Sequence, residues 1–281
     1  QLTSRSGILV DGPKGSSIGS AWQTTLSETS AIKSSTARIR IDTGSINSQS
    51  DFSKKKTMED ECDRLRALLR LSPEPNMPDG HQDAGVLILL DGVPDNYQVF
   101  LCIRSEKLRR HPGEVCFPGG MRDNGENMQE TAIREAEEEV GLVRDDFIML
   151  GSLPPFRARF GVLIHPTVAL LRRPFFPRPN ADEVQDTFWM PLERFLDDSV
   201  HMSFVIDNKY SIHSFSFEEA HTYGVTALMC IMTAIGVLQR MPPFQLMPQF
   251  SPSDMAKLKP SEVISLVCEF VGQSLTSQSK L

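Results

Sequence analysis

The fold of this chain is decided by the stretch from Gly120 to Leu142, which reads GMRDNGENMQETAIREAEEEVGL. This stretch predicts a short helix, because Asn127 followed three residues later by Glu130 has the form of a capping box. Gly141 supplies the stop, since glycine readily adopts the left-handed conformation that ends helices. With about 100° between successive residues, the largely apolar side of this helix holds Gln129, Ala132, Ile133, Ala136 and Val140.

Three carboxylates share the other side of the predicted helix. Glu135, Glu138 and Glu139 fall within an arc of about 100°, whereas Glu137 points away from them. Like charges at this spacing repel by about 0.2–0.5 kcal/mol per pair, and the last turn of a helix favours cations. A divalent cation would remove both penalties, and oxygen ligands suit Mg²⁺ or Mn²⁺ better than zinc. The alternative is an acidic, solvated helix face, which the charge pattern alone does not exclude.

The sequence before the helix favours the metal site. Residues 117–120 read FPGG, and paired glycines let a backbone approach a ligand or a metal closely. The spacing that follows is Gly120, five residues, Glu126, seven residues, and then REAEEEVGL from Arg134. This pattern resembles the signature of the Nudix hydrolase superfamily, with Ala136 at a position where that family usually has a bulkier aliphatic residue. The resemblance covers about residues 81–240 and implies an α/β fold, the Nudix-type α/β/α sandwich with a mixed central sheet.

The resemblance also implies an activity, the metal-dependent hydrolysis of a nucleoside diphosphate linked to another group. It implies that Glu135, Glu138 and Glu139 hold the metals, that Glu126 assists, and that Arg134 orients the first carboxylate. Such cations would neutralise the bridging diphosphate oxygens and lower the pKa of a bound water. Beyond the signature, Glu183 is a candidate general base, and the alternative is that it is an exposed loop carboxylate.

A basic cluster lies upstream of the signature, in a chain whose formal net charge is -7. Its members are Arg104, Lys107, Arg109, Arg110 and His111. Such a cluster suits an additional phosphate group, and its alternative is a solvated strand-to-loop segment. The positions here resemble the upstream motif of the coenzyme A diphosphatase branch of the Nudix family. The substrate-binding residues that this second resemblance implies are Ser105, Arg109, Gly113, Phe117, Gly119 and Gly120.

The implied substrate is coenzyme A, an acyl-CoA or oxidised CoA, and the implied products are 3′,5′-ADP and 4′-phosphopantetheine or its acyl form. Arg109 is the first choice to meet the 3′-phosphate or the diphosphate, because a guanidinium engages phosphate oxygens bidentately. Two alternatives stay open. One is another Nudix nucleotide diphosphatase of the NADH or ADP-ribose type, although the zinc-site cysteines common in the NADH branch are not visible. The other is a catalytically silent module that binds a nucleotide or CoA derivative, although such modules usually lose signature carboxylates.

The two ends of the chain predict its location and its flexible segments. The last residues, Ser279, Lys280 and Leu281, form the tripeptide read by the peroxisomal import receptor, so the expected location is the peroxisomal matrix. Residues 271–281 are predicted to form a flexible tail. Residues 1–57 are rich in Ser and Thr and are predicted to be disordered. Their excess of basic over acidic residues also resembles a mitochondrial transit peptide.

The remaining residues, 58–270, are predicted to form one Nudix domain with flanking helices. Five cysteines without CxxC spacing argue against a disulfide scaffold and a zinc ribbon. The longest apolar run, 225–238, is too short to span a bilayer, and no nucleic-acid partner is expected. Strands are predicted at 84–90, 98–103, 147–153 and 163–171, and helices at 62–71, 191–196 and 223–239.

Overall fold

A computed structural model describes residues 48–73, 82–157 and 162–277, with side chains in the part from 57 to 271. Its helices are α1 (Ser48–Leu69), α2 (Met128–Val140), α3 (Gly224–Leu238), α4 (Pro252–Met255) and α5 (Pro260–Ser277). Its strands are β1 (Asp83–Val93), β2 (Asn96–Arg104), β3 (Val115–Cys116), β4 (Gly119–Met121), β5 (Phe147–Ser152), β6 (Phe156–Arg157), β7 (Leu163–Leu171), β8 (Val184–Pro191), β9 (His201–Ile206), β10 (Tyr210–Ser216) and β11 (His221–Tyr223).

The main sheet is mixed, as the resemblance implied. Its strand order is β3-β2-β1-β7-β5, with β4 paired to β1, β6 to β7 and β8 to β2. The pairing of β1 with β7 is parallel and runs from Asp83 opposite Leu163 to Leu90 opposite Leu170. The other pairings in this sheet are antiparallel. The central strand β1 is almost entirely apolar because helices cover both of its faces.

Helices pack on both faces of this sheet and give the expected α/β/α sandwich. On one face, Ala132, Ala136 and Val140 of α2 are buried with Leu87 and Leu89 of β1. On the other face, α1 and α3 form a larger core with the alternate residues of β1. Since side chains alternate along a strand, the two cores divide β1 between them. The helix that carries the acidic side chains is therefore fixed directly on the central strand.

The predicted strands 84–90, 98–103, 147–153 and 163–171 are confirmed as β1, β2, β5 and β7. The helix predicted at 223–239 is α3, and residues Leu192–Leu196 form a 3-10 helix within the predicted range. Sequence analysis missed β8 and the second sheet, which has the order β11-β10-β9. The period-two pattern is hidden in β8 by the polar run Gln185, Asp186 and Thr187, and in β10 by the buried polar residues His213 and Ser214.

One predicted helix boundary is wrong. Helix α1 begins at Ser48, well before the predicted start at Cys62, and therefore includes residues 48–57 of the segment predicted to be disordered. The buried residues Cys62, Leu65 and Leu69 lie on one face of α1 and dock it into the core. Helix α5 continues to Ser277 and therefore includes residues 271–277 of the predicted tail. Residues 1–47 and the targeting tripeptide 279–281 lie outside the described residues.

The predictions about cysteines and membrane spans can be compared with the same structure. The cysteines Cys62, Cys102, Cys116, Cys230 and Cys268 are all free, as their spacing predicted. The helices in the described part of the chain are too short or too polar to cross a membrane. Met229 and Met232 of α3 are buried in the core.

Two buried histidines tie the second sheet to the segment after α3. His213 Nε2 lies 3.0 Å from the carbonyl oxygen of Leu246, and a carbonyl only accepts, so this nitrogen carries the proton. His213 Nδ1 is therefore the acceptor for the Nε2–H of His201 at 2.9 Å. The His201 ring stacks on Phe244 with centroids 3.6 Å apart. Burial lowers the pKa of His201 and lowers the pKa of His213 to about 4. Both rings are neutral at physiological pH.

This pair predicts a loss of stability in acid. Between pH 6.5 and pH 4 the unfolded His213 binds a proton that the folded one does not, so the free energy of unfolding falls as the pH falls. The contribution present above pH 6.5 is up to about 3 kcal/mol. Urea unfolding at pH 7 and pH 4.5 should show a smaller pH-dependent loss in His213→Gln than in the unsubstituted protein. Equal losses in the two proteins would contradict this role of His213.

Candidate active site

Helix α2 begins and ends at the capping residues that the sequence predicted. The side-chain oxygen of Asn127 accepts from the backbone N–H groups of Gln129 and Glu130 at 2.9 and 3.0 Å. The Glu130 carboxylate accepts from the Asn127 N–H at 2.8 Å, which completes the capping box. Gly141 ends the helix with φ of 73°. These local contacts fix the direction in which the carboxylates of α2 point.

The carboxylates of α2 differ strongly in burial. Glu139 is 5% exposed, Glu135 is half-buried, and Glu138 is exposed. Glu137 is also exposed and makes no ion pair within the described residues. Burial raises the pKa of Glu139 to about 7 and also raises the pKa of Glu135, while nearby arginines lower both values and nearby carboxylates raise them. The acidic face is therefore a partly dehydrated cluster rather than a fully solvated one.

The two glycines of β4 bring the backbone against these carboxylates. The Gly119 N–H donates to Glu139 Oε2 at 3.0 Å. A Cβ on Gly120 would lie 2.5 Å from the carboxyl carbon of Glu135. A Cβ on Gly119 would lie 2.7 Å from the Val86 Cα, and its φ of 155° disfavours other residues. Glycine is required here because α2, β4 and β1 meet without space for a side chain.

Arg134 joins three of the predicted catalytic carboxylates. Its Nε lies 2.7 Å from Glu126 Oε1, and its Nη1 lies 2.8 Å from Glu135 Oε1 and 3.0 Å from Glu138 Oε2. The hydrogen bond from Arg134 holds the pKa of Glu126 below its usual value. Glu126 also accepts from the Thr131 hydroxyl at 2.8 Å. The structure thus brings Glu126, Arg134, Glu135 and Glu138 together as one charged network.

The predicted metal ligands are close together but are held by protein donors. No three His, Cys, Asp or Glu side chains in residues that the structure describes form a ready-made metal site. The reason is visible in the contacts, since Arg134 engages Glu135 and Glu138 while the Gly119 N–H engages Glu139. The donor chemistry nevertheless fits a hard divalent cation, because all three groups offer carboxylate oxygens.

Glu183 approaches the same carboxylates from the loop before β8. Its negative charge raises the pKa of both Glu135 and Glu139, which places it near them. The loop is attached to α2, because the Asn180 N–H donates to the Glu139 carbonyl oxygen at 2.8 Å. Glu183 is half-buried rather than a fully exposed loop carboxylate. It faces the acidic cluster from an element that the signature does not include.

The basic segment is joined to this loop through Ser105. The Ser105 N–H donates to the Glu183 carbonyl oxygen at 2.9 Å, and its hydroxyl donates to the Ala181 carbonyl oxygen at 3.2 Å. Gly113 turns the segment back with φ of 69°, and its N–H donates to the Arg104 carbonyl oxygen at 3.1 Å. Arg109 is exposed between these two anchors and makes no hydrogen bond or ion pair with any described residue. Its guanidinium is available to a ligand.

Phe117 and Arg104 have positions that the sequence did not predict. Phe117 is buried in the core rather than open to a ligand, so its position is structural. The sequence places Arg104 only in the basic cluster, yet its guanidinium lies close enough to Glu139 to lower that carboxyl's pKa. Its Nε is buried and has no hydrogen-bond partner in the described part of the chain. The sequence signal for this position was the alternation of side chains along β2. It places Arg104 on the same face of the sheet as the buried Cys102, which is the face that packs against α2.

Comparison with known proteins decides the family. Residues 80–208 match the NUDIX domain. The chain is 52% identical over 233 residues to the peroxisomal coenzyme A diphosphatase of Caenorhabditis elegans, covering 80% of this chain and 100% of that protein. The chain belongs to the Nudix hydrolase family. This Nudix hydrolase is also 36% identical to the peroxisomal coenzyme A diphosphatase of Mus musculus, over 51% of this chain and 65% of that protein.

Among solved structures, a Caenorhabditis elegans Ap4A hydrolase binary complex is similar over 40% of this chain and 81% of that one, with a TM-score of 0.34 and 22% identity. The family assignment rests on the sequence relatives and not on this structural similarity. The residues that predicted the family from sequence, from Gly120 to Leu142, lie inside the matched range 80–208.

Proposed function

We propose that this Nudix hydrolase cleaves the diphosphate bond of coenzyme A, an acyl-CoA or oxidised CoA, releasing 3′,5′-ADP and 4′-phosphopantetheine or its acyl form. The observation that carries the proposal is that an acidic helix face and a basic segment are joined to each other. The acidic face of α2 is joined through Glu183 and Ser105 to the basic segment that holds Arg109. Two relatives named as peroxisomal coenzyme A diphosphatases support this choice of substrate.

The reaction is proposed to depend on Mg²⁺ or Mn²⁺ held by Glu135, Glu138 and Glu139. When bound, these cations would neutralise diphosphate oxygens and lower the pKa of a water. Arg134 positions two of the ligands by direct contact, at 2.8 Å to Glu135 and 3.0 Å to Glu138. The Gly119 N–H holds the third, Glu139, at 3.0 Å. Glu126 is proposed to keep Arg134 in place, because the two are linked at 2.7 Å.

Glu183 is proposed to take the proton from the attacking water. It is a carboxylate that faces the cluster of α2 from a separate loop, and half-burial keeps it close to the reacting groups. A general base needs to lie within hydrogen-bonding reach of the water or one water away. Asn180 supports it by donating to Glu183 Oε2 at 3.4 Å, a long contact that allows the carboxylate to move.

Arg109 is proposed to bind the 3′-phosphate that distinguishes CoA from dephospho-CoA. A guanidinium engages phosphate oxygens through two parallel hydrogen bonds, and Arg109 has no competing partner among the described residues. Ser105 and Gly113 hold the two ends of the segment that presents it. Gly113 is proposed to contribute only the turn of its backbone. A Cβ added at this position would lie 2.6 Å from Glu106 Oε1.

The test compares hydrolysis of CoA, dephospho-CoA, NADH and ADP-ribose. A charge-assisted hydrogen bond is worth about 1.5–3 kcal/mol, so kcat/KM should favour CoA over dephospho-CoA by about 10- to 150-fold. Arg109→Gln should remove this preference by raising KM for CoA, with dephospho-CoA unaffected. The matched control is Arg110→Gln, which changes the exposed neighbour and should keep the preference.

Other outcomes would overturn specific parts of the proposal. A higher kcat/KM for NADH or ADP-ribose than for CoA would replace the substrate and keep the Nudix chemistry. No turnover of any of the four compounds, with CoA still bound, would favour a binding module. An equal loss of CoA preference in Arg109→Gln and Arg110→Gln would show that the segment acts only through its total charge.

Delivery to the peroxisome is part of the same proposal. It is supported by the two relatives whose names describe them as peroxisomal. The residues proposed to be recognised by the import receptor are Ser279, Lys280 and Leu281.

A further inference from the structure

Two ionisable residues are buried together at the start of the main sheet. Asp83, the first residue of β1, is 4% exposed, and His165 of β7 is 1% exposed. His165 Nε2 lies 3.0 Å from Asp83 Oδ1. Both residues lie outside the acidic face of α2 and the basic segment, and the proposed reaction gives them no role. Aspartate is almost never fully buried unless it is paired, so this position needs a physical reason.

The charge of Asp83 is balanced by an arginine that lies close to the Arg134 network. A carboxylate only accepts, so His165 Nε2 carries the proton between the two side chains. Burial lowers the pKa of His165, so its ring is neutral at pH 7 and does not cancel the negative charge. Arg122 Nη2 lies 3.5 Å from Asp83 Oδ2 and supplies the positive charge. Without such a partner a buried carboxylate would be strongly destabilising.

Arg122 is fixed to β1 through its backbone as well as through its side chain. Its N–H donates to the Asp83 carbonyl oxygen at 3.0 Å, and Met121 just before it is paired with β1. Residues 122–127 connect β4 to α2, and Glu126 belongs to this connection. Asp83 therefore holds the first residue of the connection at two points.

The residues on either side of Arg122 contact Arg134. Arg134 Nη2 donates to the Met121 carbonyl oxygen at 3.2 Å, and Asp123 Oδ2 lies 3.9 Å from Arg134 Nε. The Asp123 N–H also donates to Glu126 Oε2 at 3.3 Å. A shift of Arg122 would therefore move two groups that lie against the Arg134 guanidinium.

We propose that Asp83 is a positioning residue for the metal site. Supported by His165, it acts through Arg122 and so holds Arg134 in the orientation that presents the carboxylates of α2 to a divalent cation. Groups that orient metal ligands from behind typically change metal affinity or activity by about 10- to 100-fold when they are lost. This inference rests on the proposed metal role of these carboxylates, but it does not depend on CoA being the substrate.

The experiment measures Mn²⁺ binding to the full chain by calorimetry, without substrate. Asp83→Asn and Arg122→Met should each raise the dissociation constant for Mn²⁺ about tenfold. Arg122→Lys should restore most of the affinity, since lysine keeps the charge that faces Asp83. Because Asp83 acts through Arg122, the double variant Asp83→Asn/Arg122→Met should lose no more affinity than the weaker-binding single variant.

Arg173→Met is the matched control. Arg173 is also exposed and pairs at 2.6 Å with a largely buried aspartate side chain, that of Asp146, but this pair lies beyond the other end of α2. The Mn²⁺ affinity of this variant should stay within about twofold of the unsubstituted protein, because such pairs act over short distances in water. Urea unfolding shows whether each variant is fully folded during the titration. If Asp83→Asn does not fold, Arg122→Met alone decides, since the Arg122 side chain is 38% exposed.

Unchanged Mn²⁺ affinity in folded Arg122→Met and Asp83→Asn would overturn the proposal and leave Asp83 with a role in stability alone. An equal loss in Arg173→Met would also overturn it, and additive losses in the double variant would overturn the path through Arg122. If the unsubstituted protein binds no Mn²⁺, or if Glu138→Gln binds it as tightly, the metal site fails and this inference fails with it. A substrate other than CoA would change the proposed function alone.

Discussion

We expect the replacement of Glu138 by Gln to lower kcat/KM for CoA hydrolysis by about 10²- to 10⁴-fold, because Glu138 is proposed to be a metal ligand and such a ligand supplies several kcal/mol of stabilisation to the transition state. The substitution keeps the size of the side chain and removes its charge. Glu138 lies on the exposed side of the acidic face and contacts Arg134 at 3.0 Å. Its loss should therefore affect metal binding far more than folding, and the requirement for Mg²⁺ should rise.

The control is on the same helix. Glu137→Gln removes an equal charge one residue away, on the side of α2 that faces away from the cluster. Its kcat/KM should stay within about twofold of the unsubstituted enzyme, since exposed charges interact weakly in water. The measurement is kcat/KM for both variants over a series of Mg²⁺ concentrations. Similar losses in both would mean that α2 acts through its overall charge, which would contradict a specific ligand role.

Replacing Gly119 by Ala lowers the free energy of unfolding by about 2–6 kcal/mol, from backbone strain and overpacking together. Gly119 has φ of 155°, and its added Cβ would lie 2.7 Å from the Val86 Cα. The Val86 Cα is a backbone atom and cannot move aside as the end of a flexible side chain can, so β4 must separate from β1. The separation would also move the Gly119 N–H away from Glu139, and activity should fall with stability.

Gly125→Ala is the matched control for this strain. Gly125 has φ of 91°, but a Cβ there meets nothing within 4 Å. The substitution should cost only the backbone term, about 1–3 kcal/mol. Urea unfolding of the two variants at pH 7 measures the difference. A cost at Gly125 equal to the cost at Gly119 would show that contact with β1 is unimportant.

Local interactions made α2 predictable. The capping box of Asn127 and Glu130, the end at Gly141 and the outward position of Glu137 all depend on residues within a few turns of one another. The strands β1, β2, β5 and β7 were predictable for a similar reason, since each carries a dense apolar run. The strand β8 and the second sheet were missed because their burial comes from partners distant in sequence.

The amino-acid sequence by itself determined the Nudix fold class and the acidic face of α2, whose carboxylates are proposed to bind a cation. Tertiary structure alone decided that Glu139 is the buried member of that face and that Gly119, Arg104 and Glu183 surround it. Periodicity places Glu135, Glu138 and Glu139 on one arc, but it cannot rank their burial. Burial depends on segments that the chain brings back from outside the helix, and their low-dielectric surroundings set the pKa of each carboxylate.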